Sequence, residues 1–381
     1  MWLMTERPGG YALNAPSTAP SPTSPIAPGH GARGRGARSN ASGRYEAFER
    51  EAFHDGWTAE DGEAPRIATT VLKDASRSIV ATNSSPDISF DQSINPYRGC
   101  EHGCVYCYAR PSHAYWGYSP GLDFESVIFA KPDGAKLLEH FFDRPGYTPK
   151  PIVIGANTDA WQPVERRLEH TREILKVFAR YRHPVSFITK SALVLRDLDI
   201  LGPMAADGLA KGAISVTTLD KRLARDMEPR AAAPHRRLET IRGLSEAGLP
   251  VTAMMAPIIP GLNDSEIEAV FEAVAGAGAA NASYVLLRLP LEIRDLFQEW
   301  LATKRPDAAA RVMSLVRQMR GGKDYDPRWG VRGRGQGPLA ELVSKRVRAA
   351  IRRYGLTAPR AELDFSKFER PLGSAGQPSL F

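Results

Sequence analysis

Cys100, Cys104 and Cys107 lie in the run NPYRGCEHGCVYCYAR, and the 381-residue chain has no other cysteine. Their C-x3-C-x2-C spacing lets one irregular loop wrap three soft sulfur ligands around a single centre, which suits zinc or iron and sulfur. A four-iron cluster ordinarily takes four cysteines, so three would leave one iron without a protein ligand and open to a small molecule. A disulfide framework fits poorly with an odd cysteine count and a start that reads as having no apolar leader. A structural zinc site would have to recruit His102 or His113, and such sites usually come as two separated ligand pairs.

The same segment resembles the radical S-adenosylmethionine (radical SAM) superfamily, whose signature C-x3-C-x-aromatic-C is met by Cys100, Cys104, Tyr106 and Cys107. The resemblance implies a [4Fe-4S] cluster on these three cysteines, S-adenosylmethionine on the open iron, and reductive cleavage to a 5′-deoxyadenosyl radical that abstracts hydrogen from a substrate. It also implies a reductant such as flavodoxin or ferredoxin. The stretches NTDAWQPVE and VTTLD extend the likeness, over roughly residues 66–360, to the DNA repair photolyase-like branch related to spore photoproduct lyase. Members of that lyase family use a further cysteine, outside the cluster, to return hydrogen, and this chain has none to spare. Either Tyr97, Tyr108 or Tyr115 takes that role, or the reaction differs from thymine-dimer reversal; the second reading is preferred.

The elements that must position the cysteines follow the loop as short β-rich runs alternating with helical stretches, the pattern of βα units around a parallel sheet. Strands are expected at Pro151–Ile154, Val185–Thr189, Ala213–Thr217, Val251–Met255 and Tyr284–Leu287, with one before the loop near Ile88–Ile94. Helices are expected near Glu165–Tyr181, Val194–Ala206, His235–Ala247 and Ser265–Ala277. Six strands match the partial (β/α)6 TIM-like barrel that the resemblance implies, an α/β fold.

In such sheets ligands gather at the C-terminal strand ends. By family position, Asn157, Thr158 and Asp159 stand where a short segment receives the amino group of S-adenosylmethionine, in place of a Gly-Gly-Glu form. Asx and Thr residues after a strand are also ordinary turn and cap formers. Lys190 or Arg230 would pair with the methionine carboxylate and Ser215 with the ribose. Ile258–Pro260 falls where the family holds adenine, and Asn263 and Asp264 read as a helix N-cap. Tyr108, His113, Tyr115, Trp116 and Tyr118 read first as packing for the loop and second as a base-stacking wall.

With 43% hydrophobic residues and a formal net charge of +7, the chain can bury a large core and favours an anionic partner. The charge is concentrated between Arg311 and Arg353, where twelve Lys and Arg face three acids, a local net of +9. There MRGGKDYDPRWGVRGRGQGP mixes arginine with Tyr325 and Trp329, a composition that can track phosphates and stack bases or equally form a solvated loop. The expected organisation is a disordered low-complexity tail at 1–65, a barrel core at 66–300, a basic helical region at 301–368 and a loose tail at 369–381. A cytoplasmic protein with no membrane span is expected. The reading is therefore a radical SAM enzyme acting on a nucleic acid or nucleotide-like substrate, with the basic C-terminal region assisting. Alternatives are radical modification of a peptide or small metabolite, and a non-catalytic, zinc-stabilised nucleic-acid-binding protein.

Overall fold

Short β-branched runs that are apolar on both faces can only be buried if helices cover both the ends and the outside of the sheet they form. The computed structural model, which describes residues 32–46 and 66–371, adopts that solution. Its strands are β1 (Thr70–Lys73), β2 (Val80–Thr82), β3 (Gln92–Ile94), β4 (Tyr97–Arg98), β5 (Val127–Ala130), β6 (Ile152–Ile154), β7 (Val185–Thr189), β8 (Ala210–Ser215), β9 (Val251–Ile258) and β10 (Asn281–Leu286). Seven of them form one sheet in the order β10-β9-β8-β7-β6-β3-β2. Six run parallel, and β2 adds an antiparallel edge to β3. The six parallel strands are the expected partial barrel.

Differences from the expected elements are local and have physical causes. The third strand after the loop begins at Ala210, three residues earlier than expected, because two parallel neighbours supply its hydrogen bonds whatever its Ala-Lys-Gly propensity. Gly212 is required there, since a Cβ would lie 2.5 Å from the Phe187 ring. The helix expected at Glu165–Tyr181 breaks into Glu165–Leu168 and His170–Arg180 at Glu169, which has φ 54°. The strand before the cysteines is only Gln92–Ile94, and Ile88 is exposed. A second sheet, β1-β5-β4, was not anticipated; it carries the cysteine loop on its flank.

The expected tail at 1–65 requires correction over part of its length. Residues 1–31 and 47–65 lie outside the described residues, but 32–46 form a strap packed against the cysteine loop, with Arg35, Gly36, Ala37 and Asn40 buried. The expected boundary at 300 does not separate two cores. Ala340, Val343, Val347 and Ala350 of helix Pro338–Arg353 belong to the same core as Ile214, Val251 and Leu286 of the barrel strands. Helix Pro306–Gln318 contributes Val312, Met313 and Val316 to a cluster with Cys104, Val105 and Tyr106. Glu369 donates its N–H to the Tyr181 carbonyl at 3.0 Å; residues 372–381 are not among those described.

Candidate active site

The cysteine loop starts at the end of β4, and its turns are fixed by glycine. Gly99 has φ 75°, and a Cβ on it would lie 2.8 Å from the Val127 carbonyl oxygen. Gly103 has φ 66° and sits against the Glu125 carboxylate. Backbone bonds then curl the segment: Cys100 N to Phe124 O at 2.9 Å, Cys107 N to Cys104 O at 3.2 Å and Val105 N to Met227 O at 3.0 Å. Arg110, fully buried, reaches back to the Cys104 carbonyl at 2.9 Å and forms an ion pair with Glu125 at 2.5 Å. Glu125 also accepts from Gly36 N and Ala37 N of the strap, each at 2.8 Å. One buried carboxylate therefore ties the strap, the loop and the loop's main buried arginine together.

All three cysteines are free thiols; Cys100 and Cys104 are buried and Cys107 is partly so. Burial pushes each thiol upward, and at Cys100 the Asp159 carboxylate and the other two sulfurs push in the same direction. Such a set loses its protons only to a positive centre, which is the demand an iron–sulfur cluster meets. Among the described residues no three His, Cys, Asp or Glu gather about one point as a single ion would require. His102, the proposed fourth zinc ligand, is instead 3.4 Å from Asp159 through Nδ1, and His113 is buried in an aromatic nest with Phe124 and Phe129.

Asp159 is fully engaged. Oδ1 accepts from the Thr189 hydroxyl at 2.7 Å and from Trp161 N at 2.9 Å, and Oδ2 accepts from Lys190 N at 2.8 Å. Although burial opposes it, the neighbouring His102 and these donors hold its carboxyl at about 2. The expected ammonium acceptor is thus a bracket joining the ends of β6 and β7 to the cysteine loop. Thr158 is committed too, donating to the Tyr97 carbonyl at 2.6 Å, so only the Asn157 side chain of this trio is exposed. Arg230 pairs with Glu101 of the cysteine loop at 3.1 Å. Lys190 places Nζ 5.9 Å from the Tyr106 ring centre and has no ion-pair partner among the described residues. Ser215, buried at the end of β8, gives its carbonyl to Arg237 at 3.1 Å. Arg237 also pairs with buried Glu228, which accepts from Tyr106 and, at 2.8 Å, from Thr217. Asn263 stands at the N-cap position of the short turn Asp264–Glu266, as expected, but its side chain makes no capping bond: its amide donates to Thr217 O and Pro257 O, clasping the ends of β8 and β9.

The aromatic segment divides. His113 and Tyr118 pack internally, Tyr115 stacks on Tyr45, and Arg98 lies over Trp116. Tyr97 is buried and bonded to Glu165, which leaves Tyr108, half exposed beside Cys107, at the mouth of the barrel. Its hydroxyl donates to the Ala156 carbonyl, and Arg288 lies over its ring at 5.3 Å. Arg288 was not expected from the sequence, yet it follows β10 as Lys190 follows β7. Its Nε is buried with no partner. Arg332, which pairs with Asp87, lies 3.9 Å over the exposed Trp329 ring. Tyr108 with Arg288 and Trp329 with Arg332 are two arginine–aromatic pairs, and Arg332 lies within electrostatic reach of Tyr108; together they make an arginine–aromatic wall that meets the cysteine loop at Tyr108.

An open parallel barrel with three clustered thiols on the loop at its mouth, two of them buried, is the setting of an α/β enzyme whose chemistry sits on the cysteine loop. Residues 94–274 match the radical SAM superfamily, and the chain belongs to that superfamily. An uncharacterised protein of Mycobacterium tuberculosis is 34% identical over 243 residues, covering 62% of this chain and 72% of that protein. One of Methanocaldococcus jannaschii is 31% identical over 173 residues, covering 45% of this chain and 62% of that protein. Among solved structures, spore photoproduct lyase complexed with dinucleoside spore photoproduct aligns with a TM-score of 0.54 at 14% identity, covering 79% of this chain and 85% of that one. That likeness is one of fold. The protein is a radical SAM enzyme, a class that works with a four-iron cluster and S-adenosylmethionine, and the non-catalytic zinc reading is set aside. Among the described residues no helix is long and apolar enough to cross a membrane.

Proposed function

We propose that this radical SAM enzyme modifies or repairs a nucleic acid. The observation that carries the reading is the arginine–aromatic wall beside Cys107, where flat rings and guanidinium planes offer stacking surfaces and cations offer phosphate contacts. The unpartnered Nε of Arg288 is a donor held ready in that wall. In the lyase complex cited above the bound molecule is a dinucleoside photoproduct, and the same substrate class suits this mouth.

In this reading Cys100, Cys104 and Cys107 hold the cluster, with Lys190, Ser215 and the exposed Asn157 facing S-adenosylmethionine. When bound, that pair supplies hydrogen-atom abstraction. The chain's own part is to fix the loop through Glu125 and Arg110, to keep Tyr106 oriented by Glu228, and to present the substrate on Tyr108 and Trp329. Asp159 and Arg230 are positioning residues in this scheme. A cytoplasmic setting and a flavodoxin or ferredoxin donor complete the proposal.

Anisotropy of a labelled single-stranded oligonucleotide tests the reading in the anaerobically reconstituted enzyme. Trp329→Ala and Arg288→Gln should each weaken binding about tenfold, since one stacked base contributes about 1–3 kcal/mol. The oligonucleotide should also raise the yield of 5′-deoxyadenosine. Unchanged affinity in both variants with no stimulation would favour a peptide or small-metabolite substrate.

A further inference from the structure

A cavity of about 190 Å³ opens between the β2 edge, the end of β3 and the residue that follows β5. Its polar lining includes Asn95, Arg98, Ser112, Lys131, Asn157 and Thr158, beside Ser78 and Tyr97, whose hydroxyls already donate to the Val80 carbonyl and to Glu165. It contains no carboxylate. Lys131 is 8% exposed, and its ammonium has no hydrogen-bond or ion-pair partner among the described residues. The nearest acid in this region, Asp74, is already spent: Oδ1 accepts from Ser76 N at 2.8 Å and from the Ser76 hydroxyl at 2.6 Å, while Oδ2 pairs with Arg98 at 2.5 Å. Asp74 therefore pairs with Arg98 alone, Lys131 is left without a counter-ion, and a net positive charge remains in a largely enclosed space.

The neutral groups point to the same chemistry. Asn95 uses its carbonyl oxygen for Asn157 N at 2.9 Å and Thr158 N at 3.3 Å, which leaves its amide hydrogens as donors. Ser112 adds a hydroxyl, and the cavity is donor-rich with little to accept. Burial first, and Arg98 next, hold Lys131 down to about 8, as expected of a buried cation without its counter-ion. The volume equals roughly six waters at about 30 Å³ each, room for a tetrahedral oxyanion and part of what carries it.

We propose that this cavity binds the phosphate group of a phosphate-bearing ligand, with Lys131 and Arg98 as its cations and Asn95 and Ser112 as neutral donors. The site stands on its own residues; only assigning its phosphate to a nucleic-acid strand rests on the proposed function. It adjoins Asn157 and Thr158 at the mouth of the barrel, so a strand held there could be fixed at one phosphate while a base reaches the wall at Tyr108.

Isothermal titration of the full-length apo chain with inorganic phosphate, with chloride at matched ionic strength as control, tests the site without the cluster, S-adenosylmethionine or turnover. Wild type should bind phosphate above the chloride background. Lys131→Met should weaken that binding at least tenfold, and Ser112→Ala, a surface-neutral change that keeps both cations, by threefold or more. Phosphate heats indistinguishable from chloride, or equal affinity in wild type and both variants, would overturn the proposal. A dinucleotide with a phosphodiester and its methylphosphonate counterpart then separate the sources. A wild-type preference for the diester that disappears in Lys131→Met places a strand phosphate in the cavity. A preference that survives in Lys131→Met, alongside lost phosphate binding, assigns the cavity to a free phosphate-bearing molecule.

Discussion

Replacing Gly36 by alanine should release the N-terminal strap from the cysteine loop without unfolding the barrel. A Cβ at this position would overlap the Gly103 carbonyl oxygen, a backbone atom that cannot swing away. To relieve the overlap the strap must lift, and Gly36 N and Ala37 N then lose their 2.8 Å bonds to the buried Glu125 carboxylate. Hydrogen bonds to a charged group contribute about 1.5–3 kcal/mol each, so the pair is worth about 3–6 kcal/mol. Ordering the strap costs about 1–2 kcal/mol per residue, so its docking is a small remainder of large opposing terms and cannot absorb that loss. At about 1.4 kcal/mol per tenfold, even the lower figure shifts the docked-to-free ratio by about 100-fold. Hydrogen–deuterium exchange of the apo protein should show Gly36 and Ala37 exchanging about 100-fold faster in Gly36→Ala, with Gly103 and Cys104 accelerated to a lesser degree. Iron retained after anaerobic reconstitution should fall in parallel, while the melting of the barrel stays close to wild type. Exchange within threefold of wild type together with equal iron loading would refute the idea that the strap holds the loop.

Cys104→Ala should reduce iron after reconstitution to the background of a cysteine-free control, measured colorimetrically and by the loss of the reduced-cluster EPR signal. His183 is fully buried against Phe142, and burial holds it to about 4 against about 6.5 in the unfolded chain. Its folded value is depressed, so its contribution is complete above pH 6.5 and declines as pH falls toward 4. The span is worth about 3 kcal/mol at 1.36 kcal/mol per pH unit, and urea titrations of wild type and His183→Gln should differ by that much less at pH 4 than at pH 7. Arg346 pairs with Glu268 at 2.6 Å on the outer helical layer, where both groups are partly exposed. Glu268→Ala should therefore cost less than about 1 kcal/mol in the same titration. Reversing Lys345, Arg348 and Arg352 on that helix should disturb oligonucleotide binding less than Arg288→Gln does, as read by anisotropy.

What was legible in the sequence was whatever a short window contains. Cys100, Cys104, Tyr106 and Cys107 fall within eight residues, and Val185–Thr189 shows its buried alternation unaided, so the loop and the parallel strands could be read directly. The strap could not be, because RGRGARSN has the composition of a solvated spacer and becomes ordered through distant partners, among them a carboxylate 88 or 89 residues further along the chain and the side chains of Asp123 and Glu299. The same reason hid β1 and β5, four-residue strands that pair with each other across more than fifty positions, with β4 on the other side of β5. Asp159 could be located at a strand end from the sequence, but its hydrogen-bond partners, Thr189 and the Lys190 amide at the end of the next strand, could not, and they show that it braces the site. A residue's place along a βα unit thus predicts its neighbourhood, but whether its polar atoms remain free for a ligand depends on donors contributed by other units. Arg288 illustrates the converse, since it sits at the same strand-end position yet finds no partner for Nε, and that surplus donor is what marks it as available to bind.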